Sequence, residues 1–164
     1  KVSSNGGRYH HIGDDQETPD THVVCLEYPD NKMITWEGLS CNRHKTAFIK
    51  FYGTEGMLAL ETKGTYRIYD NKSDRPREVK EGDKGGVPEH IADFLAAIRN
   101  DTPLRLNAEI AEGHKSTLAC HLGNIAQRVG RTLHCDPANG TILNDPDAMQ
   151  FWSREYEPGW EPVV

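Results

Sequence analysis

From residue 22 to residue 69, runs of apolar and polar positions alternate with a period of two, the spacing of strands that cover one face. A β-rich run at residues 22–28 is followed by turn chemistry at Pro29-Asp30-Asn31-Lys32 and a second run at residues 33–39, a hairpin signature. Alternation resumes over residues 46–52, breaks at Gly53-Thr54-Glu55-Gly56, and returns at residues 57–61 and 65–69, with Lys63-Gly64 between. Consecutive hairpins predict antiparallel neighbours. Residues 70–86 are rich in charge, Gly and Pro, and predict a solvated crossover with a short strand at residues 77–79.

The period then changes. Pro88 suits a first helical turn, and Ile91, Phe94, Leu95 and Ile98 form one stripe before Asn100-Asp101-Thr102-Pro103 ends it. A longer helix is predicted from an N-cap at Asn107, with Ile110, Ala111, Leu118, Leu122, Ile125 and Val129 on one face and Gly130 at its end. Asp145-Pro146 predicts a third, short helix running through Phe151 and Trp152. The tail at residues 157–162 is irregular, and Trp160 is expected to pin it to the body. Strands first and helices afterwards predict an α+β fold: an open, mainly antiparallel β-sheet with helices packed on one face. The other face needs a cover. With Trp36, Phe51, Tyr52 and Tyr69 on strands, a homo-oligomer built through the open sheet face is expected.

Charge narrows the choice of partners. The chain has 164 residues and a net charge of -6, which argues against a nucleic-acid binder and against docking on anionic lipid. No apolar run approaches a membrane-spanning length. The first residues, Lys1-Val2-Ser3-Ser4, carry neither an initiator Met nor a signal pattern, so the chain is taken as a piece of a longer or processed polypeptide, cytoplasmic or exported. Cys25, Cys41, Cys120 and Cys135 form no C-x-x-C pair and are expected to be free thiols.

Candidate chemistry clusters near the start. Gly6-Gly7 permits close backbone approach, and Arg8, Tyr9 and His10 offer donors suited to hydroxyls or a carboxylate. Asp14, Asp15, Glu17 and Asp20, with His10 and His11, have metal-ligating types but no fixing geometry; they are expected to form an acidic, solvated loop. His114 falls on or near the apolar stripe of the long helix, either as a core histidine or at a cleft. His121 and Asn124 are expected to bond between helix and sheet. No G-x-G-x-x-G turn follows a strand, so no dinucleotide site of the usual kind is expected in this chain.

Four ordered stretches carry a family resemblance: Asn5-Gly6-Gly7-Arg8-Tyr9 leading to Asp14 through Thr21; Phe51-Tyr52-Gly53-Thr54-Glu55-Gly56-Met57-Leu58; Gly113-His114-Lys115-Ser116 through Arg131; and Asp136-Pro137 with Arg154-Glu155-Tyr156 and Pro158-Gly159-Trp160. The sequence resembles the C-terminal domain of the glucose–fructose oxidoreductase / inositol dehydrogenase (Gfo/Idh/MocA) family, in the branch common in Bacteroidetes and Planctomycetes. The resemblance implies that residues 1–164 form one C-terminal substrate and oligomerisation domain. It also implies an N-terminal dinucleotide-binding domain outside this chain that holds NAD or NADP. Sugars or inositols are the implied substrates, and a family helix in the region of His114 borders the substrate cleft. The family's catalytic Lys and its D-x-x-x-H pair have no counterpart here, so no catalytic residue is expected in this chain. Two other functions fit the residues: a stand-alone carbohydrate-binding or scaffold module, and a metal-dependent hydrolase or lyase built on His10, His11 and the nearby acids.

Overall fold

The structure, a computed structural model, describes residues 1–42, 49–61, 64–82, 86–102 and 105–161. The chain divides into two compact units: Lys1–Asn42 with Ile110–Val164, and Arg43–Glu109. Antiparallel strands and a few helices make the fold α+β, as the pattern predicts, with the strands in two sheets, one in each unit. The stretch 46–48, Lys63 and Pro103 lie outside the described residues.

The first unit holds the sheet β1 (Val2–Gly7), β2 (Thr21–Tyr28) and β3 (Lys32–Leu39), in that order. The β2–β3 hairpin turns at Asp30 and Asn31, both with positive φ, which Asp and Asn tolerate better than most residues. Strand β1 is not predicted by its composition, because Ser-Ser-Asn-Gly-Gly lacks β-forming side chains. Tertiary pairing makes it: Val2 sits opposite Leu26, Ser4 opposite Val24 and Gly6 opposite His22. Gly6 is required there, since a Cβ would stand 2.3 Å from the Thr21 carbonyl oxygen.

Paired residues share a face, so Val2, Ser4, Gly6, His22, Val24, Leu26, Ile34, Trp36 and Gly38 lie on one side of this sheet. The helix α2 (Ile110–Val129) covers that side with Leu122, Gly123, Ile125 and Ala126, all buried. Leu133, fully buried, exchanges backbone hydrogen bonds with Val2 of 2.8 and 2.9 Å. Ile142 and Ala148 complete this core. The short α3 (Pro146–Met149) is capped by Asp145, whose carboxylate accepts the Ala148 N–H. Arg131 grips the same carboxylate at 2.6 and 2.9 Å.

Four expectations change here. Helix α2 begins at Ile110, not next to Asn107, whose N–H donates to Asp93 instead. Helix α3 stops at Met149, so Phe151 and Trp152 lie in the turn beyond it. His121 and Asn124 are exposed, because the Leu122–Ile125–Ala126 stripe takes the sheet-facing side, and Trp160 is 79% exposed and does not pin the tail.

The second unit contains the sheet β4 (Ile49–Tyr52), β5 (Gly56–Leu60), β6 (Tyr66–Asp70) and β7 (Glu78–Lys80). Ion pairs and side-chain hydrogen bonds tie it across strands: Arg67 to Glu61 at 2.6 Å and Tyr66 to Glu78 at 3.0 Å. Ile49, Phe51, Leu58, Leu60 and Ile68 share one apolar face by register. Helix α1 (Val87–Arg99) begins where Glu89 accepts the Gly86 N–H at 2.6 Å. Its predicted stripe is there, but Ile91, Phe94 and Ile98 are exposed. Among the described residues, no helix is long and apolar enough to cross a membrane.

Candidate functional site

Strand β1 runs out at Gly7 into a loop of residues 8–20 that folds around one carboxylate. Asp20, 1% exposed, accepts the N–H groups of Tyr9, His10 and His11 at 3.1, 2.9 and 2.9 Å, and the Thr21 hydroxyl at 2.9 Å. Three successive N–H groups converging on one anion form a nest. The His11 N–H, with those of His10 and Tyr9 and the Thr21 hydroxyl, holds the Asp20 carboxyl well below its ordinary value, outweighing the upward push of burial. Asp20 also links the chain ends of this region, donating its own N–H to the Gly7 carbonyl and accepting the Ser40 N–H.

Arg8 braces the same loop. Its guanidinium donates to the His11 carbonyl at 2.9 Å through Nε, and through Nη2 to the Asp14 carbonyl at 2.7 Å and the Asp14 carboxylate at 2.9 Å. Most of its donors are therefore committed to the protein. Tyr9 is 67% exposed, and its ring folds back over Gly7, where a Cβ would meet it at 2.7 Å. Gly7 alternates with Gly6, so this ring lies on the face opposite α2. The glycine pair thus accommodates protein atoms, the Thr21 carbonyl and the Tyr9 ring. His10 is exposed, with its ring edge-on to His11 at 4.8 Å between centroids.

On the α2 side of the same sheet end stands a corner that sequence reasoning missed. His22, 6% exposed, shares a 2.5 Å hydrogen bond between Nε2 and the Ser4 Oγ. Burial lowers its pKa below the ordinary 6.5. The Trp36 indole meets it edge-on, with centroids 5.5 Å apart and planes at 82°. That indole lies along the strand over Gly38, where a Cβ would fall 2.2 Å from it, and Trp36 stays 52% exposed. The available signals were a glycine two residues after a tryptophan, and a histidine opposite Gly6 in the register.

His114 lies in the first half of α2, where it is exposed, so it is no core histidine. The loop after β1 brings Arg8, Tyr9 and His10 together, with the Tyr9 ring on the face opposite α2.

Among the described residues, no three His, Cys, Asp or Glu side chains gather as ligands for a metal. Asp20, the deepest acid of the loop, is saturated by N–H donors. Gly6 and Gly7 lie within β1 against protein atoms and leave no cradle there for a pyrophosphate.

The profile of the oxidoreductase family, C-terminal alpha/beta domain (Gfo/Idh/MocA), matches residues 14–161, and the chain belongs to that family. Comparison with proteins of curated function returns no match. Among solved structures, the chain is similar to a candidate oxidoreductase from Thermotoga maritima, at TM-score 0.58 and 16% identity, covering 79% of this chain and 38% of that one. It is also similar to a candidate oxidoreductase from Klebsiella pneumoniae, at TM-score 0.57 and 12% identity, over 92% and 45% of the two chains. An NAD-binding protein from Listeria innocua matches at TM-score 0.54 and 15% identity, over 81% and 44%. At these identities the likeness is one of fold, and the chain spans less than half the length of each.

Proposed function

We propose that this chain is the substrate-facing and oligomer-forming domain of a nicotinamide-dependent dehydrogenase acting on a sugar or inositol. Membership of the oxidoreductase family carries the proposal. NAD or NADP would be held by a dinucleotide-binding domain elsewhere in the full-length protein. The half-exposed Trp36 indole offers a flat apolar face for the C–H side of a sugar ring. His10 and His114 offer hydrogen bonds to hydroxyls. The apolar face of Ile49, Phe51, Leu58, Leu60 and Ile68 supports a contact with a second copy.

Steady-state kinetics of the full-length protein on a panel of sugars and inositols, with NAD and NADP, test this. Trp36→Ala is expected to raise KM about tenfold, the upper range for loss of one aromatic contact. Calorimetry on the 164-residue chain should give no dinucleotide binding. Micromolar affinity for NAD in that chain, or an unchanged KM in Trp36→Ala, would remove the proposal.

A further inference from the structure

The second unit carries a slot that the oxidoreductase reading does not use. Tyr52, Met57 and Tyr69 are cross-strand partners on β4, β5 and β6. They therefore stand in a row on one sheet face, with Met57 between the tyrosines. Two strand spacings set the tyrosines about 10 Å apart. A cavity of about 420 Å³ opens there, lined also by Asp70, Ser73 and Asp74. Its described lining includes two carboxylates and no cationic side chain.

The rim is fixed by the protein's own bonds. Gly53 donates its N–H to the Gly56 carbonyl at 2.8 Å, closing the β4–β5 turn. A Cβ on Gly56 would stand 2.2 Å from the Tyr69 carbonyl oxygen, so the turn lies close on β6. Asn71 ties the β6–β7 loop to that turn by donating to the Thr54 carbonyl at 2.5 Å. Ser73 Oγ donates to the Arg75 carbonyl at 2.9 Å and accepts its N–H at 3.1 Å. One Asp70 oxygen accepts from Arg77 at 2.8 Å.

These bonds occupy the Ser73 hydroxyl, one Asn71 N–H and one Asp70 oxygen. The Asp74 carboxylate has no partner among the described residues, and it lines the cavity beside two phenol rings and a thioether. Aromatic π-faces beside an anion attract an organic cation.

We propose that the slot formed by Tyr52, Met57, Tyr69 and Asp74 binds a small soluble alkylammonium compound, quaternary or protonated. The site is independent of the dehydrogenase reading, since its residues lie outside the corner described above.

Amide-resolved NMR titration of the purified protein tests it, with tetramethylammonium chloride and choline chloride as probes, and sodium chloride and methyl glucoside as controls. Saturable shifts at Tyr52, Met57, Tyr69 and Asn71 with millimolar affinity are expected for both cations alone. Tyr52→Ala and Asp74→Asn, both at exposed positions, should each weaken binding roughly three- to fivefold and leave the remaining spectrum intact. Equal shifts with sodium chloride, saturation by methyl glucoside in place of the cations, or unchanged affinity in both variants would overturn the proposal.

Discussion

Gly123 of α2 lies directly over Val24 of β2, so close that a Cβ at position 123 would fall 2.9 Å from both Val24 methyls. This contact sets how near the helix approaches the sheet. Gly123→Ala is expected to cost about 1–3 kcal/mol through overpacking, despite Ala's better helix propensity. Thermal melts of both single variants and the double variant with Val24→Ala check this. The Gly123→Ala cost should shrink in the Val24→Ala background.

Asp20 should stay ionised far into the acid range. A carboxyl held down in the folded state adds stability above its unfolded value, near 3.8, and that stability is lost only as pH falls toward the lower folded value. Carboxyl-carbon NMR should therefore show Asp20 not titrating between about pH 5 and 3, where an ordinary Asp does. Asp20→Asn removes one anionic acceptor oxygen. It is expected to lower Tm by on the order of 5 °C and to speed amide exchange at Tyr9, His10 and His11. An unchanged exchange rate at those three amides would count against the latch.

His22 adds a second slope on the acid side, at higher pH than that of Asp20. Burial favours the neutral ring, so the folded pKa lies below the ordinary 6.5. The contribution of His22 is complete above the unfolded pKa and falls away as pH drops through it toward the folded value. Urea unfolding at pH 7.5 and pH 5 should show the loss, and His22→Gln should flatten it. Equal pH dependence in both proteins would contradict this origin.

Association is the remaining expectation. Light scattering at micromolar concentration should give at least twice the chain mass, and Phe51→Asp, on the apolar face of the second unit, should shift it toward the monomer. A monomer in the unsubstituted protein would remove the oligomer contact from the proposed function.

Much of the architecture is legible in the sequence because local pattern and tertiary structure agree. Strand β2 buries His22, Val24 and Leu26 and leaves Val23 exposed, the period-two alternation read directly. Leu122 and Ile125 of α2 are buried as their stripe requires. Strand β1 is not legible, because its residues extend only through pairing with β2. Nor does alternation reveal that the strands divide between two sheets. At the site, residue type misleads for Asp20, which reads as one of several solvated acids, yet it and Arg8 serve the loop's own backbone. Their roles arise from N–H and C=O groups that converge only after folding.

The loop at residues 8–20 takes its shape from Asp20 and Arg8, not from the side chains it displays. His10 and its exposed neighbours are thus ornaments on a prefabricated frame. Exchanging those side chains should therefore leave the loop's backbone path unchanged, because Asp20 and Arg8 hold it.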